Sequence, residues 1–205
     1  MTKKLSMDEK LELWKTYAKG KKSLELKLPF ATISYGDITE LRENKHPKTG
    51  ARIATYQMNF SIPKEKVRTM EAVKTYFDLL EMFDLKPKNP VFTDGATIKD
   101  KEGNLKEQCA DKFYFALSLS EGSFDKDTNT FPQLDLEDMD GTKVTSPEDI
   151  RNTFTVGTKV AMKVSFRYYT DGETKDGIKL YLNGMKVKEV AQVRSSFEDH
   201  EGEDD

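Results

Sequence analysis

The chain has 205 residues, of which 34% are charged, and a mean hydropathy of −0.71. It contains no run of roughly 18 apolar residues of the kind that would span a membrane, and its first residues carry no apolar signal core. The single cysteine, Cys109, excludes an intramolecular disulfide and fits a reducing, cytoplasmic compartment. With only His46 and His200 beside it, the four-ligand set of a structural zinc site is missing.

The formal charge of −3 is unevenly spread. The last eight residues hold six acids, leaving 33 basic against 30 acidic residues in the body. Residues 195–205 are therefore expected to form a disordered acidic tail on a mildly basic domain. Such a tail serves either as a partner hook or as a solubiliser.

In chain order, Ser6 and Glu9 form a capping-box pattern that opens a helix. Leu11, Trp14 and Ala18 share one face of it, and Gly20 ends it. Lys19, Lys21 and Lys22 follow, so residues 1–22 read as an N-terminal helix and basic segment. Leu24, Leu26, Leu28 and Phe30 alternate as in a strand, with Pro29 implying an edge or a bulge. Residues 43–50 read as a long basic hairpin loop, and the alternation resumes from Ala54 to Ile62. Pro63 is expected to open a helical insertion over about 63–84, with Val67, Met70, Val73, Phe77 and Leu80 on its apolar face. Residues 91–110 are loop-rich. Phe113, Phe115, Leu117 and Leu119 mark another strand, Leu134–Leu136 a short one, and Ser146-Pro147 a single helical turn. The strongest strand runs from Thr158 to Tyr169. Its partner runs over 178–193, with a break or bulge at Asn183-Gly184. Five or six strands without a βαβ rhythm indicate a mainly β fold with helical additions, an antiparallel barrel.

The last hairpin carries the chemistry. Val160, Met162, Val164 and Phe166 alternate with Lys163, Arg167 and Tyr169, and Ile178, Leu180 and Leu182 alternate with Lys179 and Tyr181. Paired as a hairpin, the two strands put Lys163, Arg167, Tyr169, Lys179 and Tyr181 on one outer face. Cations that neutralise phosphates, interleaved with rings that stack on unpaired bases, suit single-stranded nucleic acid. An ordinary solvated strand face has the same pattern.

The run Gly157-Thr158-Lys159-Val160, then Arg167-Tyr168-Tyr169, then Gly177 to Val187, resembles the closing hairpin of phage and viral single-stranded DNA-binding proteins. The likeness covers about residues 155–205. It implies an OB-type β-barrel over residues 23–194 that coats single-stranded DNA during replication, recombination and repair. It also implies a tail that contacts polymerase, helicase or other replication proteins, or competes with DNA for the basic groove. Here the tail residues are Phe197, Glu198, Asp199, Glu201, Glu203, Asp204 and Asp205. Many tails of that family end in an aromatic residue. This one ends in two aspartates, which favours charge competition and the Phe197 segment over docking of a terminal ring.

Tyr114, opposite the Phe113/Phe115 face, is a further stacking candidate, and Lys45 and Lys48 are phosphate candidates. Tyr35 is less secure, Tyr56 reads as core and Trp14 as a packing residue. The expected function is sequence-independent binding of single-stranded DNA by a non-enzyme of the host-cell cytoplasm. No cofactor, metal or membrane is expected, and a homodimer is left open. Two alternatives stand beside it. One is a metal-dependent nuclease or nucleotide-processing enzyme using Asp135, Asp138 and Asp140. The other is a viral scaffold or protein-interaction module. No Walker or dinucleotide-binding glycine pattern is present.

Overall fold

A computed structural model describes residues 5–45, 50–67, 70–87, 90–170 and 175–191. The first helix, α1 (Met7–Tyr17), begins as the capping box requires. The Ser6 hydroxyl accepts from the Glu9 N–H at 3.2 Å, and the Glu9 carboxylate accepts from the Ser6 N–H at 2.7 Å. Its buried face is Lys10, Trp14 and Ala18, spaced four apart, while Leu11 is only partly buried. Lys10 is just 4% exposed because its ammonium meets Asp176 at 2.7 Å. The Tyr168 hydroxyl donates to the same carboxylate oxygen at 3.0 Å.

Two long strands follow, β1 (Leu24–Lys45) and β2 (Arg52–Pro63). β1 is central, paired with β2 on one side and β6 (Lys159–Thr170) on the other, so the expectation of an edge strand at Pro29 fails. The bulge reading is right. The register steps from Leu28↔Met162 to Ala31↔Val160, and Pro29 sits in the step, where a missing N–H breaks no ladder bond. The loop expected at 43–50 begins later, since Glu43, Asn44 and Lys45 still belong to β1 and pair with Ala54, Ile53 and Arg52. Arg52 supports this extension by bridging Glu43 at 2.5 Å and Glu121 at 2.8 Å.

The helical insertion is two pieces, α2 (Lys64–Val67) and α3 (Glu71–Met82). Its buried face is Ala72, Val73, Tyr76 and Leu79, not the face through Phe77, which is 40% exposed. Met70 is extended just before Glu71, and this resets the helical phase. The short β3 (Thr93–Asp94) pairs with β4 (Lys112–Ser120), which runs antiparallel to β2 along its whole length. β5 (Asp135–Glu137) pairs in parallel with β7 (Asp176–Glu189), an exception to the antiparallel expectation. Gly184 permits it. A Cβ there would lie 2.4 Å from the Asp135 carbonyl oxygen. The helix α4 (Pro147–Thr153) is capped by Ser146 and is longer than the single turn expected.

Among the described residues the strands form one sheet in the order β3-β4-β2-β1-β6-β7-β5. It curls until Cα atoms of β4 and β7 come within 8 Å, with no ladder between them. The inward side chains pack against α3 and α1. Tyr76 stacks on Phe166 at 5.9 Å, Phe83 on Tyr168 at 5.2 Å, and Trp14 lies 6.4 Å from Phe83. No helix among the described residues is long and apolar enough to cross a membrane.

The Lys10–Asp176 pair ties α1 to the root of β7. Removing one partner of a buried pair strands the other charge. Lys10→Ala is expected to lower the unfolding free energy in urea by about 3 kcal/mol. A Lys10→Met/Asp176→Asn double variant should recover most of that loss. Equal losses in both would mean that packing, not the stranded charge, sets the cost.

Candidate nucleic-acid interface

The β6–β7 ladder brings the outward residues together as the alternation requires. Arg167 pairs with Lys179, Ser165 with Tyr181 and Tyr169 with Gly177. The register then shifts, so that Lys163 faces Gly184 and Asn183 forms the bulge. Arg167 and Lys179 are exposed, and neither has an ion pair among the described residues. Two like charges directly across a ladder disfavour pairing. The arrangement therefore suits an anion lying over the strands.

The Tyr169 ring lies against the bare Cα of Gly177, where an added Cβ would meet its Cε1 and Oη at 2.9 Å. The Lys179 ammonium sits 4.6 Å from the centre of that ring. Glycine thus lets the ring lie down on the strand, and the lysine covers it. Tyr181 is 38% exposed beside them.

These residues form one wall of a groove of about 890 Å³ along the unladdered β4–β7 seam. The other wall carries Tyr114 and Tyr35, with Lys106 at its rim. Burial, then a hydrogen bond shared with Cys109, pushes the Tyr114 phenol up to about 12, so it stays neutral. Tyr35 is 62% exposed, with the Arg42 guanidinium 5.1 Å from its ring. Past Tyr181 the groove leads into a second hollow of about 390 Å³ that contains Arg167, Asn183 and Lys22.

Other candidates lie elsewhere. Lys163 shares the outward face but borders neither hollow. Its ammonium is paired with Asp135. Lys45 is at the far end of the β1–β2 hairpin, opposite Arg52, and does not line the groove. Lys48 and the tail residues Phe197 to Asp205 fall outside the described residues. Tyr56 is buried edge-on to Phe131 at 5.0 Å, and Trp14 is buried, as their patterns imply. Lys106 carried no sequence signal, since it lies in a loop-rich stretch without periodicity.

Of the three acids of the nuclease alternative, Asp135 and Asp138 are engaged within the protein, and Asp140 is exposed. Asp135 accepts from Lys143 and Lys163, which hold its carboxyl below the usual carboxylate range. Asp138 accepts from the Thr142 N–H at 2.8 Å. Among the described residues no three acidic, histidine or cysteine side chains converge on a metal position.

No family model and no curated protein matches the chain. Solved structures do. The single-stranded DNA-binding protein of bacteriophage Enc34, in complex with single-stranded DNA, superposes with a TM-score of 0.57 at 15% identity. The match covers 82% of this chain and 88% of that one. The two chains share a fold. The C-terminally truncated Enc34 protein gives a TM-score of 0.56, also at 15% identity, over 82% of this chain and 87% of that one. The bacteriophage T7 single-stranded DNA-binding protein gp2.5 aligns more loosely, with a TM-score of 0.42 at 18% identity, over 90% of this chain and 99% of that one.

If Gly177 positions the ring, Gly177→Ala should lift Tyr169 off the strand while the fold persists. The readout is the NMR shift of the Lys179 ε-methylene protons, shielded by the ring at 4.6 Å. That shielding should vanish in the variant. Its survival would show that the ring is held by something else.

Proposed function

We propose that the protein binds single-stranded DNA without reading its sequence, by laying the strand along the β4–β7 groove. The observation that carries this reading is the groove itself. Four tyrosines (Tyr35, Tyr114, Tyr169 and Tyr181) line it beside Arg167 and Lys179, cations with no ion pair among the described residues. Every base has a flat face, so stacking on tyrosine is indifferent to sequence. Arg167 and Lys179 supply phosphate neutralisation, with release of counterions as the driving force. The fold shared with a phage protein solved on single-stranded DNA supports the same ligand. The curl of the sheet, with β4 and β7 side by side, supports an OB-type barrel spanning residues 23–194.

On this reading the protein is a non-enzymatic coat for single-stranded DNA in viral replication, recombination and repair within the host cytoplasm. The acidic residues from Glu198 to Asp205, with Phe197 before them, serve as a hook for polymerase or helicase or as a competitor for the groove. Of the candidate residues, Tyr181 and Tyr114 offer stacking faces and Arg167 and Lys179 meet phosphates, while Tyr169, lying on Gly177, holds Lys179 in place. Lys45, which does not line the groove, meets only a DNA strand that extends beyond it.

Fluorescence anisotropy with labelled oligothymidylate tests the proposal. Tyr181→Ala should weaken binding by about 1–3 kcal/mol, about 5- to 150-fold. Arg167→Gln/Lys179→Gln should reduce the slope of log affinity against log salt by about 1.4, about 0.7 per lost phosphate contact. A wild-type protein that leaves the oligonucleotide free at low salt would sink the reading.

A further inference from the structure

The outward face of the hairpin continues past the bulge at Asn183. Lys163 and Ala161 of β6 pair with Gly184 and Lys186 of β7, and Lys27 of β1 pairs with Lys163 on the other side. Together they bound a pocket of about 390 Å³ with an apolar floor of Leu28, Met162 and Met185. Its rim carries Lys27, Lys163, Lys186 and Lys188. Tyr169 and Ala161 are eight residues apart on one strand, about 27 Å at ~3.4 Å per residue. The hollow around Arg167 and Asn183 fills the interval. Groove, hollow and pocket therefore form one track along β6 and β7.

The charges of this pocket are only partly balanced. Asp135 holds Lys143 and Lys163, and Glu137 meets Lys143 at 2.9 Å and Lys186 at 3.6 Å. Two carboxylates thus serve three of the five ammonium groups in the neighbourhood. Lys27 and Lys188 are exposed, with no ion pair among the described residues. They stand on different strands, β1 and β7, on either side of the pocket rather than converging on one point. That geometry suits an extended polyanion more than a compact ion.

We propose that this pocket is a second phosphate-binding station, which takes the backbone of a single DNA strand as it leaves the tyrosine groove. The inference rests on the single-stranded DNA reading above. Asp135 and Glu137 hold the lysine heads in position when no strand is present. Lys27 and Lys188 meet the phosphates directly. The occupant is assigned by continuity with the groove and by the excess of positive charge.

The test uses the full chain, the variant Lys27→Gln/Lys188→Gln, and two oligothymidylates. One is about 6 nucleotides long, enough for the groove, and one about 16, at the upper end of what a single OB fold covers. On the long strand the variant should lose about 1.4 from the log–log salt slope, as two phosphate contacts go. On the short strand its affinity should stay within about twofold. Lys74→Gln/Lys86→Gln removes the same net charge from exposed positions that line neither the track nor the pocket, and should leave both strands unaffected. Three results would overturn the station: an unchanged slope on the long strand, an equal loss on the short strand, or an equal loss in the control. Tighter binding by the variant would also overturn it, since the pocket would then hold an acidic segment of protein. Failure of the wild type to bind either strand would instead remove the function on which the inference rests. If Tyr181→Ala weakens binding while Lys27→Gln/Lys188→Gln is silent, only the station falls.

Discussion

Arg167 and Lys179 face each other across the β6–β7 ladder, and neither has an ion pair among the described residues. Like charges placed directly opposite oppose strand pairing, so the hairpin must draw its stability from its other face. It does. Val160, Met162, Val164, Phe166 and Tyr168 are all buried, and Ile178, Leu182, Met185 and Val187 join them from β7. Burial of one face thus maintains two adjacent cations on the other, and the candidate interface depends on that opposition.

The row is also anchored at both ends. At one end Lys10 of α1 reaches Asp176, which also accepts from Tyr168. This fixes the root of β7 one residue before Gly177, on which Tyr169 lies. At the other end β5 comes against Gly184, so close that no side chain fits, and brings Asp135 and Glu137 to the lysines. Between the anchors the outward face borders the groove and the hollow beside it. The stretch proposed to meet DNA is therefore tied down at its ends by these contacts.

The unladdered seam between β4 and β7 has the largest consequence for function. Had the two strands hydrogen-bonded, their edges would have closed over the space that Tyr114, Tyr169 and Tyr181 now share. Left open, the seam presents tyrosine rings on two walls, with Tyr114 more than fifty residues from Tyr169 and Tyr181 in sequence. The likeness to the Enc34 protein extends over most of both chains at 15% identity, so the curl of the sheet is retained with few shared side chains.

By itself the sequence determined the local elements and one face of the site. Strict alternation settled which residues of β6 and β7 point outward, because a strand's side-chain period is fixed at two. The capping box at Ser6 and Glu9, the bulge at Asn183 and the burial of Tyr56 were legible for similarly local reasons. Tertiary structure decided the rest. The pairing of Lys10 with Asp176 spans 166 residues, and a lysine on an apolar helix face carries no sign of its partner. The place of Lys106 and Tyr35 in the groove, the diversion of Lys163 to Asp135, and the parallel pairing of β5 all depend on which strands become neighbours. Periodicity gives the direction of a side chain from its own strand, but sheet order gives its company, and order is set by packing across the whole chain.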